Sequence, residues 1–443
     1  MRPTLDLSCC EQDTLSRRHL LAGSASLSLW SLFPRAALAG TRDPRFLTIV
    51  LRGALDGLAL AAPVGDPDYV RLRGKLAFAK DGPGAGLPLD GFFALNGAMP
   101  YLHGLYMKRE ATIIHAVATP YRARSHFDGQ DVLESGLAGV GVSESGWLNR
   151  ALAGLPSAGR TEEHKGLAMG AVVPLVMRGS APVLSWTPKA NGLALQQQTI
   201  DRLADLYAHT DPGLAKAFAQ GLEIDRVATA AAAADAPMIV GTAGARPAPA
   251  QPTMVQPAMA QPAIAQPAAP QPARPFRDFI DTAEAAAKFM TTPGGPRVGA
   301  LSFDGWDTHA NEGGVLNNRF SGLDAAIRAF TEGMGPAWKD TAVLIVTEFG
   351  RTAHTNGTDG TDHGTATVAI LLGGAVKGGR IIADWPGLKD ADLFEGRDLK
   401  PTRDLRAITK GLLRDHLGIP DGALASAVFP GSASVKGADG LVG

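Results

Sequence analysis

Three histidines lie beside acidic residues in short polar stretches that flank predicted strands. His126 occurs in SHFDGQD, His309 in WDTHANE and His363 in GTDHGT. Imidazole nitrogens and carboxylate oxygens are the ligands of hydrolytic zinc sites and of mixed sites for manganese or magnesium. If the fold brings these stretches together, they predict a metal site that assists a displacement at phosphorus or sulfur. Taken alone, each histidine is more typical of a surface or packing residue.

The other candidates are acidic, basic and hydroxyl side chains in or near similar stretches. They are Asp56, Ser125, Asp304, Asp307, Glu348, Arg351 and Asp362. An aspartate after a strand is commonly a turn former or a helix cap, and Glu348 could form a plain ion pair with Arg351. Ser125 could serve only as the N-cap of a helix. In that position its hydroxyl would also lie at a positive helix end, where an anion or an alkoxide is stabilised.

The elements that must position these side chains are short apolar runs that alternate with amphipathic stretches. The first run begins at residue 45, and the others cover residues 110–120, 296–303, 341–350 and 365–374. They are too short for helices and rich in β-branched residues, so they predict buried strands. Residues 318–334 have apolar side chains at helical spacing. The alternation predicts an α/β fold with a mostly parallel central sheet and helices on both faces. Ligands of such folds bind at the carboxyl ends of the strands.

The N-terminus has the features of a twin-arginine export signal over residues 1–39. Arg17 and Arg18 precede an apolar stretch, and Ala37 and Ala39 form a small-x-small cleavage pattern. A short buried helix is the alternative. The apolar stretch is shorter than the roughly 20 residues that cross a bilayer. We therefore expect a periplasmic or otherwise exported protein, whose partner is the twin-arginine translocation machinery and whose mature form has no transmembrane segment.

The two cysteines and the charge balance exclude several classes of site and partner. Cys9 and Cys10 both precede the predicted cleavage site. A mature chain without thiols has no disulfides, cysteine nucleophile or cysteine-rich metal site, so any metal must be held by His, Asp, Glu or main-chain oxygen. Lys and Arg number 42 against 43 Asp and Glu. This balance gives no reason to expect nucleic acid or an anionic membrane as a partner.

A proline-rich segment interrupts the globular sequence. Residues 251–275 consist of five pentapeptides that each begin with Gln-Pro, and an alanine-rich stretch precedes them. Proline at this density disfavours helix and sheet, so we predict an extended or disordered insertion over 227–275. Helical stretches at about 198–224 and 277–290 flank it. We assign them to one domain that covers residues 40–443.

Several short motifs occur together along the chain: LRGALDGL, RSHFDGQDVLESG, GWLNR, DTHANE, EFGRT and GTDHGT. In their order they resemble a large bacterial family of exported proteins of unknown function, which is placed in the alkaline phosphatase and sulfatase superfamily. The resemblance covers about residues 45 to 420 without the insertion. It implies an alkaline phosphatase-like fold, a nucleophile at a helix N-terminus and two metal sites.

The resemblance also implies roles by chain order. Asp56 is then the first metal-binding acid, Ser125 the nucleophile, and Asp307 with His309 the Asp and His pair of one metal site. Glu348 takes the place of the acid after a later strand, and His363 that of the histidine before the last core strand.

The remaining candidates receive supporting roles. His126 and Arg351 are expected in catalysis, with Arg351 neutralising the charge of the substrate anion. Asp304 and Asp362 are secondary metal candidates, and Asp362 is expected to orient the loop or a histidine.

Two functions from different classes are compatible with these features. The first is an exported hydrolase of phosphate or sulfate esters that depends on a divalent metal, zinc before manganese, magnesium or calcium. The alternative is a non-catalytic exported protein that keeps the fold and binds an envelope glycan or an assembly partner. The proline-rich insertion, which could act as a docking segment, motivates this alternative.

Overall fold

A central mixed β-sheet is the main element of the protein. The computed structural model describes residues 42–79, 81–82, 84–141, 143–155, 166–170, 172–187, 197–211, 213, 215, 218–219, 221–222 and 276–443. Residues Pro44–Gly443 form one compact unit. The predicted export signal with both cysteines and the predicted insertion at 227–275 lie outside the described residues. In the described part of the chain, no helix is both long enough and apolar enough to cross a membrane.

Twelve strands occur in the described residues. They are β1 (Arg45–Arg52), β2 (Ala61–Ala62), β3 (Leu87–Pro88), β4 (Ala94–Leu95), β5 (Ala111–Ala118), β6 (Gly166–Met169), β7 (Val183–Trp186), β8 (Val298–Asp304), β9 (Thr341–Val346), β10 (Thr367–Leu372), β11 (Arg380–Ile382) and β12 (Arg403–Asp404). The central sheet has the order β11-β5-β10-β9-β1-β8-β6-β7, and β12 also pairs with β5. The short strands β2, β4 and β3 form a separate antiparallel sheet.

The helices around the sheets include ten with defined bounds. They are α1 (Gly57–Leu60), α2 (Tyr69–Arg73), α3 (Pro100–Met107), α4 (His126–Ser135), α5 (Trp147–Ala153), α6 (Gln197–Thr210), α7 (Arg277–Thr291), α8 (Glu312–Met334), α9 (Leu405–Leu417) and α10 (Asp421–Ala423). Short 3-10 turns cover Gly74–Leu76, Leu175–Met177, Gly335–Asp340 and Asp390–Asp392, and a π-helical turn covers Leu424–Val428. The predicted helices around the insertion are present as α6 and α7.

Helices cover both faces of the central sheet. Leu47, Ile49 and Leu51 of β1 pack in one apolar core with α3, α7 and α8. Phe46 and Val50, which point to the opposite face, pack in a second core with α5 and α9. Because successive side chains of a strand alternate between faces, a strand buried on both faces reads as a continuous apolar run. The predicted mostly parallel sheet with helices on both faces is confirmed.

One strand of the central sheet runs against the others. β10 pairs antiparallel with both β5 and β9, whereas every other pair in this sheet is parallel. The residues before β10 therefore lie at the edge where β1, β5, β8 and β9 end. In an all-parallel sheet, His363 would have been at the opposite edge. The reversal of β10 thus places His363 with the other candidates.

Candidate metal centre

His126, Asp307 and His363 form a compact group at the carboxyl edge of the sheet. Their ligand atoms all lie within 4.8 Å of one another. Nε2 of His126 is 3.0 Å from Nε2 of His363 and 3.4 Å from Oδ2 of Asp307. Nε2 of His363 is 3.2 Å from Oδ1 of Asp307. The fold therefore brings three predicted site residues together, although the two histidines are 237 positions apart in the chain.

His309 adds a further nitrogen beside this group. Its Nε2 is 3.0 Å from Oδ1 of Asp307 and 3.1 Å from Nε2 of His363. The loop of residues 356–360 holds the backbone of His309: Thr358 Oγ1 donates to its carbonyl over 2.7 Å. A Cβ atom at Gly360 would lie 2.3 Å from the same carbonyl, so only glycine permits this approach. His309 thus contacts two of the three members of the group.

The other ring nitrogen, Nδ1, of each histidine faces a hydrogen-bond acceptor. Nδ1 of His126 is 2.7 Å from a carboxylate oxygen of Glu348. Nδ1 of His363 is 3.0 Å from the carbonyl oxygen of Arg124, and Nδ1 of His309 is 3.4 Å from Asp362. Acceptors that carry no proton require the proton on Nδ1, which leaves a lone pair on each Nε2 of the neutral rings.

Two lone pairs face each other where His126 meets His363. A contact of 3.0 Å between two such nitrogens is repulsive unless a cation lies between or beside them, either a proton or a metal ion. The bond to Glu348, opposed by burial, raises the pKa of His126. Burial and the nearby positive charge of His126 lower the pKa of His363. The pKa values of the two facing rings are therefore shifted in opposite directions.

The donor set fits a zinc-type ion. Two nitrogens on one tetrahedral zinc ion lie roughly 3.3 Å apart, given Zn–N bonds of about 2.0–2.1 Å. The observed separations of 3.0 and 3.1 Å are close to this value. Imidazole nitrogens suit zinc and similar transition metals, whereas magnesium and calcium prefer sets made of oxygen. His126, which was predicted as a catalytic residue, lies with Asp307 and His363 in the group of side chains that could hold a metal ion.

Glu348 lies behind the ligand group. Its side chain is fully buried, and one carboxylate oxygen accepts hydrogen bonds from His126 Nδ1 and from the backbone N–H groups of Gly53 and Ala54, at 2.9 and 3.2 Å. The other oxygen accepts from Thr347 Oγ1. Burial opposes ionisation, but the bond from His126 and the remaining donors outweigh it and lower the pKa of Glu348. Glu348 was predicted as a metal ligand, and both of its carboxylate oxygens here accept hydrogen bonds from protein groups, one of them from His126.

The loop after β1 needs an unusual backbone to reach Glu348. Gly53 has φ of 118°, and a Cβ atom there would lie 2.6 Å from the backbone nitrogen of Asp307. Ala54 follows with φ of 59°. These left-handed conformations turn successive N–H groups toward one carboxylate oxygen, a common way to bind an anion. The same turn brings the loop against the backbone that carries Asp307.

Arg351 is buried beside Asp307. Its guanidinium is buried and donates from Nη1 to Asp307 over 2.6 Å, from Nε to the Thr361 hydroxyl over 3.1 Å, and from Nη2 to the Thr361 carbonyl. Burial favours protonation, but the bond and charge of Arg351 outweigh it and lower the pKa of Asp307. All three guanidinium nitrogens of Arg351 have internal partners, and its expected role in neutralising a substrate anion stays a prediction.

Asp56 lies in a separate buried ion pair. It caps α1 by accepting from the N–H of Leu58, and Arg73 Nη2 donates to its other oxygen. Arg73 Nη2 is also 3.7 Å from Glu312, which is fully buried. Burial opposes ionisation, but Arg73 outweighs it and lowers the pKa of Asp56. Asp56 was predicted as a metal ligand, and the structure pairs it with a guanidinium cation instead.

Glu312 completes this buried group. Burial and the charge of Asp56 raise the pKa of Glu312 to about 9. Thr361 Oγ1 donates to it over 2.6 Å and itself accepts from Arg351, so the group is linked to the ligand Asp307. At neutral pH the buried set thus contains one carboxylate, one carboxylic acid and one guanidinium.

The remaining candidates lie around the centre. Ser125 is the N-cap of α4, but its side chain makes no capping hydrogen bond. Asp362 Oδ1 lies 3.4 Å from Nδ1 of His309, and its orienting role stays a prediction. Asp304 ends β8 with an exposed side chain and is not in the ligand group. Four of the site residues predicted from the sequence lie in contact with one another: Asp307, His309, His363 and His126.

Several residues that shape the centre were not predicted. Arg73 lies 17 positions after Asp56 and outside the motifs, so no local pattern indicates it. Glu312 is the last residue of the DTHANE motif, but its spacing from Asp307 does not indicate that it lies in the buried group with Asp56. Arg124 has φ of 62° and supplies the carbonyl that His363 contacts, while its guanidinium is 2.7 Å from the buried Asp398. Its place directly before Ser125 and His126 was the only available signal.

Comparison with known proteins finds one family model and several similar solved structures. Residues 109–428 match the model of a family described as protein of unknown function (DUF1501). No curated protein sequence matches the chain. A phosphonate monoester hydrolase of Agrobacterium radiobacter is 11% identical with a TM-score of 0.35, and the match covers 77% of this chain and 70% of that one. An alkaline phosphatase superfamily protein from Vibrio parahaemolyticus is 12% identical with a TM-score of 0.29, covering 75% and 60%. The sulfatase PsFucS1 from Pseudoalteromonas sp. is 12% identical with a TM-score of 0.31, covering 81% and 67%.

Proposed function

The chain belongs to the DUF1501 family of proteins of unknown function, and from this premise we propose that it is an exported, metal-dependent hydrolase of phosphate or sulfate esters. The observation that carries the proposal is the contact of 3.0 Å between the Nε2 atoms of His126 and His363 beside Asp307. Facing lone pairs next to a carboxylate make a site for a cation. Hydrolysis of an ester that is bound to the metal is the reaction that such a site best supports.

Four side chains would hold the metal: His126, His309, His363 and Asp307. Zinc fits this set best, with manganese as the next candidate, because nitrogen donors predominate. When bound, the ion would neutralise charge on the ester and lower the pKa of a coordinated oxygen nucleophile. Glu348, Asp362 and the Arg124 carbonyl fix the rings so that each Nε2 points inward. Such partners also raise the basicity of the ligating nitrogens.

Ser125 is the proposed nucleophile. It precedes His126 at the N-terminus of α4, where the helix dipole favours an anionic oxygen. Its hydroxyl makes no capping bond to the helix and so remains available for the ester. The preceding residue, Arg124, is held by its ion pair with Asp398 and its contact with His363. The backbone on both sides of Ser125 is therefore fixed relative to the ligand group.

Export through the twin-arginine route is part of the proposal. Its support is the sequence pattern of residues 1–39, with the paired Arg17 and Arg18. We expect the translocation machinery as a partner and the periplasm as the location. Changing both arginines to lysine should keep the full-length chain out of the periplasmic fraction, and unchanged fractionation would count against this route.

Metal analysis and ester hydrolysis test the function together. Full-length protein is produced, its mature form is purified from the periplasm, and its zinc and manganese are measured by elemental analysis. Hydrolysis of p-nitrophenyl phosphate and p-nitrophenyl sulfate is then measured for wild type, Ser125→Ala and His363→Ala. The control is His354→Ala, an exposed histidine outside the ligand group.

The expected pattern separates the roles. His363→Ala should lose bound metal and turnover, Ser125→Ala should lose turnover but keep metal, and His354→Ala should resemble wild type. Metal-free wild-type protein without turnover would refute the proposal. A metal-loaded protein that hydrolyses neither ester would favour the non-catalytic alternative.

A further inference from the structure

A cleft of about 560 Å³ lies beside the metal centre and has no role so far. Its volume is in the range of small-molecule sites. Helix α4 lines it with Phe127, Gln130 and Asp131, and the ends of β1 and β8 contribute Arg52 and Asp304. The cleft therefore lies at the carboxyl edge of the sheet, as the ligand group does.

The cleft and the metal centre share structural elements. Phe127 follows the proposed ligand His126 directly. Gln130 Nε2 is 3.4 Å from the carboxylate oxygen of Glu348 that also contacts His126. Arg52 precedes Gly53, which packs against the backbone of the metal-binding loop. The cleft therefore runs along α4, the helix that begins at His126.

The charges of the cleft are nearly balanced. Arg52 forms a 2.5 Å ion pair with Glu134, whose other oxygen accepts from the N–H of Val176 over 3.0 Å. Asp131 and Asp304 form no ion pair with any described residue, and Arg178 donates from Nε to the Val173 carbonyl. A lining with carboxylates and guanidinium groups in similar number has no strong preference for an anion or a cation. This balance disfavours a polyanionic alcohol such as a nucleic acid.

The polar lining offers both donors and acceptors beside an exposed ring. Ser302, Thr187 and Gln130 supply hydroxyl and amide groups, and Asp131 supplies a carboxylate acceptor. The Phe127 side chain is 89% exposed. A ring at the surface of a polar cleft can cover the C–H face of a sugar while the polar groups bind its hydroxyls.

We infer that this cleft binds an uncharged sugar unit, which is the alcohol half of the ester. The inference rests on the proposed function for the reaction, but sugar binding itself requires no turnover. The lining also has an apolar wall of Met169, Val172, Val173, Pro174 and Leu175 beside the ring of Phe127. Donors and acceptors next to such apolar surface match a polyhydroxylated ligand, which has both hydroxyls and C–H faces, better than an alkyl chain, which would leave the polar groups unpaired.

Saturation-transfer NMR on the metal-loaded protein tests the inference. The probes are the neutral disaccharides maltose, lactose and chitobiose, with choline and 1-hexanol for comparison. At least one disaccharide should receive saturation on its ring protons, and Phe127→Ala should weaken its binding by about tenfold. Asp131→Ala removes an acceptor on the same wall and should also weaken it. The control, Met107→Ala, changes an exposed apolar side chain of α3 that does not line the cleft.

The outcomes distinguish the two proposals. If none of the disaccharides binds, or if Phe127→Ala and Asp131→Ala bind as wild type does, the sugar inference is wrong. Preferential binding of choline or hexanol would replace it with a cationic or an apolar alcohol half. Sugar binding without ester hydrolysis would refute only the proposed reaction, and hydrolysis without sugar binding would refute only this inference.

Discussion

The buried group of Asp56, Arg73 and Glu312 makes stability depend on pH in a defined direction. In the folded protein the pKa of Asp56 is lowered and that of Glu312 is raised to about 9. The pair therefore holds one proton at neutral pH. In the unfolded chain both carboxyls titrate near their ordinary values, 3.8 and 4.5, and hold none. Unfolding at neutral pH thus releases one proton.

The magnitude follows from that single proton. A raised folded-state pKa gives stability that is complete below pH 4.5 and is lost as the pH rises toward 9. One proton corresponds to roughly 1.4 kcal/mol per pH unit in the free energy of unfolding. Between pH 6 and pH 8 the contribution of Glu312 should therefore fall by about 3 kcal/mol.

The Glu312→Gln variant isolates this effect. Glutamine resembles the protonated acid in shape, can accept from Thr361 and does not titrate. Unfolding by guanidinium chloride is followed by tryptophan fluorescence at pH 6, 7 and 8, with a chelator present so that metal binding does not contribute. The difference in stability between variant and wild type should move by about 3 kcal/mol toward the variant over this range. The control is Glu332→Gln, an exposed glutamate on the same helix.

Parallel stability curves for Glu312→Gln and wild type would refute the reasoning. They would mean that Glu312 is ionised in the folded protein. A slope difference equally large in Glu332→Gln would assign the effect to general surface charge instead.

Three further predictions concern the metal centre. We expect one metal ion per chain, because the guanidinium of Arg73 already balances Asp56, and elemental analysis that finds two would contradict this. Glu348→Gln should weaken zinc binding by about 10- to 100-fold in a chelator competition assay, because the ring of His126 loses its carboxylate partner. Unchanged zinc affinity would show that Glu348 does not orient His126. Gly53→Ala should lower the free energy of unfolding by about 2 kcal/mol or more, because the backbone of Gly53 is left-handed and an added Cβ would clash with the backbone of Trp306 and Asp307. The control is Gly97→Ala, whose Cβ would contact nothing within 4 Å. It should have a much smaller effect in the same denaturation assay.

The sequence predicted the main strands and the polar groups at their ends, because buried strands leave continuous apolar runs. It could not predict the direction of β10, since the apolar run of a buried strand reads the same for either direction. His363 reached the predicted site for this reason alone.

The roles of the acidic residues were harder to predict. Whether a buried carboxylate binds a metal, a histidine or an arginine depends on shifts of a few ångströms that motif spacing does not contain. Glu348 and Asp56 were assigned to metal for this reason, and their partners His126 and Arg73 lie 222 and 17 positions away.

The ligand group also has a consequence for the chain as a polymer. A metal ion held by His126, Asp307 and His363 would cross-link segments that are 237 and 56 positions apart. In the chain-entropy treatment of cross-links, closing loops of this length removes roughly 4 to 5.5 kcal/mol of unfolded-state freedom per link. The sequence has no cysteine after Cys10 with which to form a disulfide. In an oxidising compartment, the metal would then do for this protein what disulfides do for many secreted domains.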